Sequence, residues 1–154
     1  MKRLVRANIT LLAPTHKITV PAEICYEDDD GMDAVNTVEI KITYNNTVYQ
    51  GDGTDYLWVD AFADLQKKLP QGLKLACCMT CRHGNMCPYG NRENLLFCTK
   101  DLQIHSKDDM IDLFDETDPD AERNVASTDY CDDFVYQSVG FFTYSDYLYE
   151  LLEE

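Results

Sequence analysis

The stretch Thr37-Val38-Glu39-Ile40-Lys41-Ile42-Thr43-Tyr44-Asn45-Asn46-Thr47-Val48-Tyr49 decides how the rest of the chain reads. Val38, Ile40, Ile42 and Tyr44 fall on every second position, the period of a strand with one buried face. Asn45-Asn46 follows at once, and asparagine tolerates the backbone of a tight hairpin turn. Thr47-Val48-Tyr49 then reads as the returning strand.

Working upstream, residues 17–26 carry Ile18, Val20, Ala22 and Ile24 on one face, and Lys2–Leu12 carries Val5, Ala7, Ile9 and Leu11. Both read as strands. Pro21 lacks a backbone donor, which predicts an edge position or a bulge. The acidic run over residues 27–33 reads as a solvated turn. It fails the EF-hand template, because Gly31 in the sixth place would put Tyr26 first and Thr37 twelfth.

Downstream, Gly51-Asp52-Gly53 reads as a break in the sheet, with Thr54 or Asp55 capping a helix. Trp58, Phe62, Leu65 and Leu69 recur at helical spacing up to Pro70, so this aromatic stripe should pack on the sheet as core. Leu73, Leu75 and Cys77 alternate as a short strand. Ser106 opens a Ser-x-x-Asp capping pattern before Met110, Leu113 and Phe114. Residues 115–127, with Pro119, read as a loop. Residues 134–143 read as a late strand, and Ser145 should cap a last helix bearing Tyr147, Leu148, Leu151 and Leu152.

The expected class is therefore α+β, in one domain over residues 1–154. Residues 1–72 form an antiparallel sheet with a packed helix. Residues 73–134 form a cysteine-rich, metal-stapled module, and residues 135–154 a short strand and helix. A chain of 154 residues, 45% hydrophobic, with ten Tyr and six Phe, can build a core and is not a disordered polymer. No apolar run is long enough to span a membrane. The basic start Met1-Lys2-Arg3 has no apolar run behind it, so the expected compartment is the cytoplasm.

Seven cysteines are an odd number, and five of them lie between positions 77 and 98. In a reducing compartment such clustering points to metal before disulfides. Cys78-Met79-Thr80-Cys81 is the strongest signal, since two thiolates at this spacing grip one tetrahedral ion from a tight turn. Gly84 can relieve that turn. Cys87 and Cys98 are the nearest further ligands. Zinc is the expected ion. An iron–sulfur cluster is the alternative, because it also takes four thiolates and Cys87-Pro88 resembles the end of some cluster loops. Lys74, Arg82, Arg92 and Lys100 surround the cluster with a single acid, Glu93, and would offset the negative charge of a zinc tetrathiolate. Adjacent cysteines point different ways, so Cys77 reads as core. Lone Cys25 reads as a buried free thiol, and His83 as an exposed polar residue.

The segment from Leu75 to Phe134 resembles a widespread, uncharacterised family of small bacterial proteins. The residues that carry the resemblance are Cys78 and Cys81, Pro88-Tyr89-Gly90-Asn91, Cys98, Lys107 and Tyr130-Cys131-Asp132-Asp133-Phe134. The resemblance implies that Cys131 is a ligand and sets it against Cys87 for the fourth place. It implies no activity.

The charge is segregated. Residues 1–100 carry twelve acids and eleven bases, whereas residues 101–154 carry sixteen acids against Lys107 and Arg123. Such a field repels nucleic acid and favours a basic protein partner. No phosphate loop, Ser-His-Asp order or His-Glu-x-x-His run is present. The expected function is thus a non-enzymatic bacterial binding protein of the inhibitor or immunity type, acting on a basic partner such as a toxin nuclease. An iron–sulfur or thiol redox protein is the alternative.

Overall fold

In the computed structural model, which describes residues 2–28, 35–54, 58–89 and 95–152, four consecutive strands form an antiparallel meander. They are β1 (Lys2–Leu12), β2 (Lys17–Asp28), β3 (Val35–Tyr44) and β4 (Thr47–Thr54). A short β5 (Lys74–Ala76) adds to the free side of β1, giving the order β4-β3-β2-β1-β5. The register aligns the apolar positions across the sheet. Ile9 faces Val20, Ile24 faces both Val5 and Ile40, and Leu75 faces Leu11. One face is therefore continuous hydrocarbon, and the opposite face carries residues such as Arg6, Glu23 and Lys41.

The apolar face is covered by α1 (Trp58–Lys68), whose Trp58, Phe62 and Leu65 are buried against it. Trp58 packs on Tyr26 with ring centroids 5.1 Å apart. The turn joining β3 to β4 is made as its sequence demands, with φ of 51° at Asn45 and 62° at Asn46.

Several expectations need correction. Gly51 and Gly53 do not break the sheet; both lie within β4. Gly51 is the seat of α1, since a Cβ there would stand 2.1 Å from the backbone oxygen of Ala61. Pro21 pairs with Asn8 in the interior strand β2, but the ladder with β3 begins only at Ala22, so the proline sits beyond its end. The irregularity of β2 lies at Glu27/Asp28 instead. Cys25 is exposed, because alternation from Ile24 puts it on the solvent face. The proposed cap at Asp55 and most of the acidic run over residues 27–33 lie outside the described residues.

The second half is built on a smaller sheet of β6 (Gly84–Asn85), β7 (Leu95–Cys98) and β8 (Asn124–Ala126), in that order. The region expected to be a loop therefore contains β8 and one turn of helix, α3 (Pro119–Glu122), with Pro119 at its start. Between β7 and α3 runs α2 (Lys107–Glu116). Its cap is the expected one: the Ser106 side chain accepts the Asp109 N–H. Met110 and Leu113 are buried with Ile104 in a small second core, joined by Phe114, Phe142 and Tyr144.

Residues 134–143 do not form a strand. One isolated bridge pairs Tyr136 with Cys81, and Gly140 turns at φ 96°. Apolar and aromatic composition suggested a strand, but the cysteine turn and a tight bend take up the backbone here. The chain closes with α4 (Tyr147–Leu152), which packs on α1. No helix among the described residues is long and apolar enough to cross a membrane.

Candidate metal centre

The turn that carries Cys78 and Cys81 is closed from inside. The Thr80 hydroxyl receives the Cys77 N–H at 3.2 Å and donates to the Leu75 carbonyl at 2.9 Å. The Cys81 N–H reaches back to the Cys78 carbonyl, and the Gly84 N–H to that of Cys81. Gly84 then enters β6 directly opposite Cys98 of β7. Local backbone bonding thus brings the third thiol to the first pair.

The fourth comes from much later in the chain. The stretch 127–137 is strapped along the turn by four main-chain bonds: Met79 N to Ser127 O, Cys78 N to Asp129 O, Arg82 N to Val135 O and Gln137 N to Thr80 O. The buried Gln137 amide adds a bond to the Met79 carbonyl. Cys131 lies in the middle of this strap, at the head of a turn closed by Phe134 N to Cys131 O. Cys78, Cys98 and Cys131 consequently line one open cavity of about 520 Å³, together with Lys100, Arg123 and Asp129.

Burial pushes the Cys78 thiol up, and the nearby charges of Cys77, Asp129, Cys81 and Cys98 push it further. Burial also raises Cys81, which lies in the field of Cys98 and Cys131. The backbone N–H groups of Val135 and His83 act in the opposite sense on Cys81, the latter at 3.5 Å from its sulfur. Thiols in this state keep their protons until a cation displaces them.

Cys87 stands apart from this group. It is buried beside a different hollow, with Met86, Pro88, Tyr89 and Tyr144. Cys77 is core, fully buried under the sheet, and burial holds its thiol up at about 12. His83 is half-buried against Phe141, and burial, then the Arg82 charge, lowers its affinity for a proton.

The sequence-predicted ligands are thus brought together in part. The neighbourhood holds Cys78, Cys81, Cys98 and Cys131, and excludes Cys87. Among the described residues, no three His, Cys, Asp or Glu side chains are grouped closely enough to hold a metal ion as they stand. In donor chemistry the residues fit a thiophilic divalent ion, with N–H groups already aimed at one sulfur. Arg123 adds a second sign: its Nε is buried with no acceptor among the described residues.

The chain matches no family model, no curated protein and no solved structure.

Of the bases expected to surround the cluster, only Lys100 lines the cavity among the described residues. Lys74 lies over the Tyr136 ring, Arg82 lies over Phe141, and Arg92 is outside the described residues. Sequence reasoning passed over Arg123, Thr80 and Gln137. Arg123 had one visible signal, as one of two bases in an acidic third. Thr80 and Gln137 had none, since their roles exist only once the strap is laid down.

The acids of that third lie largely at the surface. Asp108, Asp112, Asp115 and Glu116 of α2 are exposed, as are Asp118, Asp120 and Glu122 after it. Asp115 also accepts a hydrogen bond from the Tyr89 hydroxyl at 3.0 Å.

Proposed function

We propose that this protein is a non-enzymatic binding protein stapled by a zinc ion on Cys78, Cys81, Cys98 and Cys131. It presents its acidic face to a basic protein partner, as an inhibitor or immunity protein presents one to a toxin nuclease. The observation that supports the reading is the shared cavity of Cys78, Cys98 and Cys131, three thiols from three separate chain segments. Zinc in such a set is a structural tie without redox chemistry. The two thiols of the turn are raised by burial rather than activated, which suits ligands better than nucleophiles. The Cys78-x2-Cys81 pair also lies in a turn between strands, not at the helix N-terminus that a thioredoxin-like dithiol uses.

Acid side chains on α2 and α3 face solvent on one stretch of chain, where they can steer a basic partner at low salt. Metal analysis of purified protein tests the staple: about one zinc per chain in a colourless protein is expected. A brown protein containing iron and sulfide would replace zinc by the cluster reading. Pull-down from host lysate tests the partner, followed by charge reversal of Asp108, Asp112, Asp115 and Asp118. A partner that is not basic, or that binds the reversed variant equally well at all salt concentrations, reduces the acidity to a solubility device.

A further inference from the structure

Among the described residues, Lys100 and Arg123 are the two bases that line the thiol cavity. Both are paired. Arg123 donates to both carboxylate oxygens of Asp101, at 2.6 and 3.0 Å, and to the Cys98 carbonyl at 3.1 Å. Lys100 Nζ lies 3.0 Å from Asp133 Oδ2. Lys100 follows Cys98 by two positions and Asp133 follows Cys131 by two, so this ion pair joins the two thiol-bearing segments.

Thiolates gathered on a divalent ion carry a net negative charge. Here they would carry it into a region already acidic, with Asp101, Glu122 and Asp129 on the same cavity wall. A cation on that wall lowers that cost. An exposed ion pair contributes little to folding by itself. The effect of Lys100 should therefore fall on metal holding and not on the stability of the metal-free chain.

We propose that Lys100 is the charge-balancing and positioning residue of the thiolate site: its ammonium offsets the charge of Cys98 and Cys131, and Asp133 holds it at the cavity. This role rests on the metal reading above.

The test uses the full chain and four proteins: wild type, Lys100→Gln, Lys100→Glu and Lys100→Arg. Zinc affinity is measured by competition with a chromogenic chelator under reducing conditions, and cobalt reports thiolate coordination by its absorption. Lys100→Gln should weaken zinc binding on the order of tenfold, Lys100→Glu further, and Lys100→Arg should stay close to wild type. Melting of the four metal-free chains should coincide, which a merely structural role of Lys100 would not give. A wild-type chain that takes up neither metal overturns the metal reading and the Lys100 role together. A wild type that binds zinc no better than Lys100→Gln, or a Lys100→Arg that loses as much as Lys100→Gln, overturns the Lys100 role alone.

Discussion

Gly84 lies against Cys78 with no room for a side chain: a Cβ there would stand 1.9 Å from the Cys78 carbonyl oxygen. The obstacle is backbone, which cannot rotate away as a side chain can. Because Gly84 also faces Cys98, this one contact sets how closely the β7 thiol approaches the turn. Gly84→Ala should destabilise the chain by about 3 kcal/mol, as overpacking against a fixed neighbour does. Gly140→Ala is the control. It has open space around it and a φ of 96°, so only backbone strain is added, about 1 kcal/mol. Chemical denaturation of the two variants checks the order; a Gly84→Ala as mild as Gly140→Ala would show that the turn opens freely.

The hairpin turn between β3 and β4 offers a gain. Asn45 and Asn46 both hold positive φ, which asparagine tolerates and glycine adopts without strain. Asn46→Gly should stabilise by about 0.5 kcal/mol, seen as a rise in the melting midpoint. A fall would mean that the Asn46 side chain is worth more than the strain it brings.

Cys87 and Cys131 should respond oppositely to replacement by serine. Cys131 shares the cavity of Cys78 and Cys98, so on the zinc reading Cys131→Ser should lower metal content and, with it, any stability that metal binding confers. Cys87 is buried elsewhere, so Cys87→Ser should keep its zinc and cost about 1 kcal/mol for the hydroxyl placed among apolar neighbours. Metal content and melting of both variants decide it. Loss of zinc from Cys87→Ser alone would reverse the ligand assignment.

Asp101 gives a pH signature. The Arg123 guanidinium beside it holds its carboxyl down at about 2, against an ordinary value near 3.8. A depressed carboxyl stabilises the fold above its unfolded value, and the contribution disappears as pH falls through the folded one. The pair is largely exposed on the acid side, so it is worth under about 1 kcal/mol. The stability difference between wild type and Asp101→Asn should be constant above about pH 4.5, shrink as pH falls, and vanish only below about pH 2. A difference that grows on acidification would be inconsistent with this pairing.

The local rules of chain geometry carried much of the fold. Alternation over residues 2–12, 17–26 and 38–44 placed the strands, and the Asn45-Asn46 turn placed the hairpin, because strand period and turn backbone are set by neighbouring residues. The helix bearing Trp58, Phe62 and Leu65 and the cap at Ser106 were legible for the same reason. The pairing of Cys78 with Cys81 was also local.

Everything that required distant chain to meet was decided by tertiary structure. Gly51 reads as a breaker until α1 is seen resting on it. Residues 134–143 have the composition of a strand, yet their backbone hydrogen-bonding groups are taken by the cysteine turn and by the bend at Gly140. The choice of Cys131 over Cys87 as the neighbour of Cys78 followed from the strap of backbone bonds through Ser127, Asp129 and Val135. The same strap sets Asp133 beside Lys100, and the pairing of β7 with β8 sets Arg123 beside Cys98. Spacing along the chain fixes only what a few consecutive φ and ψ angles can reach, and these contacts join residues that only the closed fold makes neighbours.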